Sequence, residues 1–171
     1  MIGAAAEAQP QRLQAITLDE RTVVRRSPAI ENERNAAITD LLKENRFTPH
    51  SGRAGPFHLH LAVKENRLVM EIRGAEDGAA DGDGADPAET IMLPLAPFRR
   101  IVKDYFLVCE SYYDAIRGKS LDQLEAIDVG RRALHDEGSA LLAERLAGKV
   151  ALDHDTARRL FTLICVLHLR A

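Results

Sequence analysis

The chain of 171 residues contains no tryptophan, only two cysteines and no long apolar run. Cys109 and Cys165 are too few for a disulfide framework or a zinc ligand set, and both fall on apolar helix faces, where buried thiols in a reducing compartment are expected. The longest apolar run, Leu163 to Leu167, is far short of the roughly 20 residues a membrane span needs. The opening MIGAAAEAQPQ lacks the basic and apolar regions of a signal peptide, so a cytoplasmic protein without a membrane partner is expected. An excess of positive charge is also missing. With a net charge of −3 and a pI near 6.1, there is no general electrostatic reason to bind nucleic acid.

Motifs that commit a chain to a chemistry are absent as well. There is no glycine-rich phosphate loop and no GxSxG nucleophile elbow. The stretch GAEDGAADGDGADPA (74–88) is not a calcium loop. A loop begun at Asp81 would need glutamate at its twelfth position, where Met92 stands.

What is present is patterning. Of three tyrosines and five phenylalanines, five lie in PFRRIVKDYFLVCESYY: Phe98, Tyr105, Phe106, Tyr112 and Tyr113. A rotation of about 100° per residue gathers Phe98, Ile101, Val102, Tyr105, Cys109 and Tyr112 in one sector, predicting a central helix from Pro97 to Arg117. Leu107 falls on its charged face, and Phe106 lies at the sector edge.

From Phe57 to Arg73 the period is two. Phe57, Leu59, Leu61 and Val63 alternate with His58, His60, Ala62 and Lys64, and Leu68, Met70 and Ile72 repeat the pattern after Glu65-Asn66. Apolar-to-apolar pairing fixes the register: Val63 with Leu68, Leu61 with Met70, Leu59 with Ile72. The other face then pairs His60 with Glu71 and His58 with Arg73. Strands are also expected at Arg12 to Asp19, with Ile16 and Leu18 buried, and at Glu89 to Leu95.

Ser27-Pro28 opens a helix that ends near Asn45. Ser120 and Gln123 form a capping box for a third helix that stops at Gly148. Gly130 and Gly138 within it predict a break near Val129 or the close approach of another backbone. Asp153 caps a last helix that is apolar almost all round, which marks a core helix or an assembly contact.

FHLHLAVKENRLVMEIR, LPLAPFRRIVKDYFLVCESYYDAIR, QLEAIDVGRRALHDEGSALLAERLAGKV and DTARRLFTLICVLHL together resemble the uncharacterised alphaproteobacterial family UPF0262. The resemblance runs from about Arg12 to the C-terminus. It implies a small cytosolic protein and carries over no catalytic residues, because the family has no assigned activity.

Three groups of residues could carry function. His58 and His60 sit side by side on the non-core strand face, where they could chelate a transition metal with Glu71 as third ligand and His50 as fourth. Gly52-x5-His58-x-His60-x4-Glu65 is similar to half of a cupin metal motif, but Ile72 stands where the next glycine belongs. The ordinary alternative is cross-strand pairing of His60 with Glu71 and of His58 with Arg73. Arg99, Arg100 and Lys103 lie at a helix N-terminus, where anions bind, although salt bridges to acids such as Asp104 are the commoner fate of such cations. Leu107 and Phe106 are candidate interface residues. His135-Asp136-Glu137 reads as a solvated face.

The expected architecture is α+β: a small, mainly antiparallel sheet of three or four strands covered on one face by about four helices, with an all-helical C-terminal half. Residues 1–11 form a disordered tail, and 12–171 form one domain with a flexible loop at 74–88. The expected function is a non-enzymatic, self-associating protein-interaction module without a cofactor. The alternative is a small-ligand or metal-dependent enzyme using the polar face of the 57–73 hairpin.

Overall fold

A computed structural model describes residues 11–21, 27–74, 89–118 and 120–168. Apart from Gln11 and Gly74, the expected tail and Gly/Asp-rich loop lie outside the described residues. Strands β3 (Phe57–Lys64) and β4 (Arg67–Arg73) form the hairpin in the register that the apolar pattern dictates. Glu65 and Asn66 link them with φ of 51° and 61°, the left-handed pair that matches a two-residue turn to the strand twist.

β1 (Leu13–Leu18) pairs with β3, and β5 (Glu89–Pro94) pairs with β4, giving the sheet order β1-β3-β4-β5. The β1–β3 pairing is parallel, whereas both other pairings are antiparallel. The side chain of Asn45 fixes the start of β1 by acting as a piece of backbone. It accepts from Leu13 N at 2.7 Å and donates to Leu13 O at 2.9 Å and Leu41 O at 2.8 Å. In β1 the fully buried residue is Leu13, while Ile16 and Leu18 are half-buried against the core.

Helix α1 (Pro28–Lys43) starts under the Ser27 cap. A single 3-10 turn (Ala96–Phe98) leads into α2 (Arg99–Gly118). α3 (Leu121–Leu146) begins with the complete Ser120–Gln123 capping box. α4 (His154–His168) is capped by Asp153, whose Oδ1 accepts from Thr156 N at 3.0 Å. A second ladder, β2 (Phe47–Pro49) with β6 (Val150–Leu152), is antiparallel, so the C-terminal half is helical except for β6.

The centre of the fold is α4 rather than the aromatic helix. Ten of α4's fifteen residues are buried, against five of twenty in α2. Phe98 and Tyr105 join the strand residues Leu59, Leu61, Met70 and Ile72 in one core as expected. Tyr112 does not: it is half-buried beneath the Arg131 guanidinium, 4.4 Å from its ring centroid, and edge-on to Tyr113.

α3 runs unbroken through both glycines. At Gly138 an added Cβ would collide with the Phe161 ring, so the close neighbour is a phenyl group rather than a backbone; at Gly130 nothing comes near.

Candidate functional site

The strand alternation that buries Leu59, Leu61, Met70 and Ile72 turns His58, His60, Glu71 and Arg73 to the opposite sheet face. There Thr17, His58, His60, Glu71 and Arg73 line a cleft of about 230 Å³. Register places them in rows. Thr17 is beside His60, which is beside Glu71, which is beside Thr90; His58 is beside Arg73. Further along the same face Ala62 and Val69 are buried cross-strand partners, which confines the polar part to one end.

The Thr17 hydroxyl joins the two imidazoles. Its Oγ1 lies 2.6 Å from His60 Nδ1 and 3.3 Å from His58 Nε2. Burial, together with the positive charges of His60 and Arg73, holds the His58 pKa below its usual value. At the end of β1, Asp19 accepts from Arg21 Nε at 2.9 Å and Nη2 at 2.7 Å. Those bonds hold the Asp19 carboxyl well below the usual carboxylate range, and the nearby His60 adds to the effect.

His58, His60 and Glu71 are thus brought to one cleft, as the alternation predicts, with Thr17 and Arg73 completing it. Thr17 was missed because the parallel strand that delivers it pairs across forty residues of sequence. Among the described residues, no three His, Cys, Asp or Glu side chains are grouped so that they could hold a metal ion. His50 is elsewhere, beside the β2–β6 ladder, where its backbone N donates to Lys149 O at 2.9 Å. It lines a separate groove with Glu89, Thr90 and Lys149.

The other candidates do not converge. Arg99, Arg100 and Lys103 are exposed on α2. Arg100 is bound to Glu137 and, at 3.3 Å, to Asp104, the salt-bridging fate expected of helix-start cations. Leu107 is 61% exposed on the charged face, whereas Phe106 is half-buried against the core. Cys109 and Cys165 are buried free thiols. Burial pushes the Cys109 thiol up to about 12 and the Cys165 thiol well above its usual value, which removes them as nucleophiles.

His135 overturns the expected solvated face. Asp136 and Glu137 are exposed, but His135 points inward. Its ring lies 5.1 Å from Tyr105 and 6.1 Å from Phe161, centroid to centroid. Thr162 Oγ1 donates to Arg158 O at 3.2 Å, and therefore accepts from His135 Nε2 at 2.6 Å. Nδ1 is left to accept from Arg158 Nη2 at 3.4 Å. Burial first, then the charges of Arg158 and Arg131, lower the His135 pKa to about 4. Nearby, Glu33 accepts from Arg131 at 2.9 Å and from the Tyr105 hydroxyl at 3.3 Å. The signal that could have found His135 is its spacing: 135, 138, 142 and 146 form one helical stripe with Gly138, Leu142 and Leu146.

Residues 10–170 match the uncharacterised protein family UPF0262. The chain belongs to that family. A UPF0262 protein of Rhodospirillum rubrum is 58% identical over 91% of each chain. One from Rhodopseudomonas palustris strain BisA53 is 53% identical over 98% of each, and one from Nitrobacter winogradskyi is 56% identical over 92% of this chain and 89% of its own. No solved structure matches. As a UPF0262 member the chain gains relatives of nearly its own length, and none of their names states an activity. No helix among the described residues is long and apolar enough to cross a membrane.

Proposed function

We propose that this UPF0262 protein binds a small polar ligand in the sheet-face cleft, with His58 and His60 as the groups that exchange hydrogen bonds and protons with it. One observation carries the reading: a single hydroxyl, Thr17 Oγ1, links two imidazoles in a cleft that also holds a carboxylate and a guanidinium. Imidazoles titrate nearest neutral pH, and convergent polar groups in a concave site are the usual mark of ligand binding. Folding alone gives little reason for the group, since the helices pack on the other face.

The test is a panel of small neutral, cationic and anionic compounds followed by ligand-observed NMR. Binding should be saturable and should disappear in His60→Ala while circular dichroism stays unchanged. No binder in any class, or binders indifferent to His60→Ala, would contradict the proposal. A transition metal held by the His58 and His60 imidazoles alone is a variant of this reading, since no third His, Cys, Asp or Glu among the described residues is grouped with them. Elemental analysis of untagged protein should then find metal that His60→Ala removes, and its absence would eliminate that variant alone.

A second reading, a self-associating interaction module, has its own support in the exposed apolar side chains of the α2–α3 pair. Leu107, Ile116, Leu121 and Val129 are each more than half exposed, and solvent-facing apolar residues can mark contact surfaces. Light scattering tests it. An oligomer that Leu107→Glu or Val129→Glu dissociates would support it, and a strict monomer would oppose it.

A further inference from the structure

The hydrogen-bonding inventory of the cleft narrows the class of ligand, and this step rests on the proposed binding role. Among the described residues, only His58 and His60 engage the Thr17 hydroxyl. When its single proton is used, Thr17 donates to one imidazole and accepts from the other. Two neutral rings sharing it then stand in opposite tautomeric roles.

With the His58 proton on Nε2, toward Thr17, its Nδ1 accepts, and His60 turns a protonated Nε2 outward. Turning the Thr17 hydroxyl the other way reverses both assignments. In either setting the pair keeps one donor and one acceptor, and no described residue occupies His58 Nδ1 or His60 Nε2. A ligand group that only donates, such as an ammonium, or only accepts, such as a carboxylate, meets half of this pair. A hydroxyl both donates and accepts, so it fits either setting.

Charge points the same way. Glu71 and Arg73 share one face of β4 in the cleft and offset each other, and Arg73 already has a partner. Asp19, the next acid along β1, is held by Arg21. A balanced cleft offers an ion no net attraction. Glu71 itself, cross-strand to His60, accepts no side-chain hydrogen bond from a described residue. An ionised carboxylate accepts at two oxygens, and two neighbouring hydroxyls bring two donors to it. The cleft's volume of about 230 Å³, against roughly 30 Å³ per water molecule in the liquid, suits a compound of a few carbon atoms.

We propose that the cleft recognises a small uncharged polyol, with two neighbouring hydroxyls on the Glu71 carboxylate and a further hydroxyl on the Thr17-linked imidazoles of His58 and His60. Glycerol, 1,3-propanediol, acetate and methylammonium are the probes, each titrated into the full-length protein and followed by chemical-shift mapping. Glycerol should bind saturably at the cleft, and more tightly than either ion. It should exceed 1,3-propanediol, which lacks the middle hydroxyl, by roughly threefold to tenfold, the usual worth of one hydrogen bond. Raising the salt from about 0.05 to about 0.5 M should leave glycerol affinity unchanged, since screening acts on charged partners. Glu71→Gln offers one acceptor oxygen in place of two and should erase the preference for glycerol over 1,3-propanediol. Thr17→Val should weaken both alcohols by about the same factor and keep their ratio, a separation that a purely structural role would not give. Circular dichroism controls for folding in each variant.

Glycerol binding no more tightly than 1,3-propanediol, or a preference that survives Glu71→Gln in a folded protein, would overturn the polyol assignment. Acetate or methylammonium binding at the cleft more tightly than glycerol would overturn it and leave the ligand site standing. If no compound of any charge class binds, both fall together.

Discussion

Two histidine clusters in this protein share a motif, an imidazole bonded to a threonine hydroxyl, and differ in what surrounds it. At His135 the ring is stacked between Tyr105 and Phe161, both nitrogens are engaged, and Thr162 directs its own proton to a backbone carbonyl. At His58 and His60 one hydroxyl serves two rings, and each ring keeps a nitrogen that no described residue occupies. The first arrangement ties α3 to α4 and leaves neither ring nitrogen over for a ligand. The second contributes little to folding and retains its bonding capacity. The same residue pair is structural in one place and available in the other, and completeness of hydrogen bonding is what separates them.

The largest effect that would sharpen this contrast is expected around the fully bonded histidine, His135. Glu33→Ala leaves the Tyr105 hydroxyl without its acceptor and the Arg131 guanidinium with Asp128 as its one remaining acid. A loss of about 3 kcal/mol of stability is expected for breaking such a partly buried pair, measured by urea unfolding. Removal of the cleft carboxylate by Glu71→Ala should cost under about 0.5 kcal/mol. Comparable losses at the two positions would erase the distinction.

The next effect is a pH dependence. His135 titrates near 4 in the folded protein and near 6.5 when unfolded. Between those values the unfolded chain binds more protons, so this contribution to stability is complete above about pH 6.5 and is lost as the pH falls toward 4. The total is at most roughly 3 kcal/mol. The groups around the ring act in both directions: Arg158, Arg131 and His154 oppose its protonation and Asp136 favours it. His135→Gln should flatten that part of the profile in unfolding experiments run from pH 7 to 4.5.

A smaller loss, about 1–3 kcal/mol, is expected for Gly138→Ala, whose new methyl would collide with the Phe161 ring that walls His135. Thermal melting checks it, and Gly130→Ala, with open space around it, should be neutral or slightly stabilising. Smallest of all is the expected change in stability for His58→Ala and His60→Ala, within about 0.5 kcal/mol. Those substitutions should act on binding instead.

Much of this fold is legible from the residues, and for identifiable reasons. The β3–β4 hairpin could be placed to the residue because seven apolar side chains alternate on either side of a short turn, and a slip by one would expose them all. Helix starts at Ser27, Ser120 and Asp153 were legible because capping chemistry is local. The parallel β1–β3 pairing and the three-residue β2–β6 ladder were not, since both depend on distant segments, and β2 and β6 are too short for a period to show.

The aromatic helix looked central because aromatics carry much buried area. The smaller residues of α4 outweigh it by being buried on every side. In the candidate site the strand alternation delivered His58, His60 and Glu71 to one face, while Thr17 depended on β1. His135 was misread because its neighbours in sequence, Asp136 and Glu137, are solvent-facing, whereas its partners in space, Tyr105, Phe161, Thr162 and Arg158, lie on α2 and α4.

The account turns on whether the sheet-face imidazoles are available to a ligand and the buried one is not. Long-range ¹H–¹⁵N spectra of the imidazole rings, recorded at constant pH while a binding compound from the ligand panel is titrated in, test this directly. The predicted result is saturable movement of the His58 and His60 ring signals with that of His135 fixed. Unmoved His58 and His60 signals with every compound of the panel, or equal movement of all three rings, would contradict it.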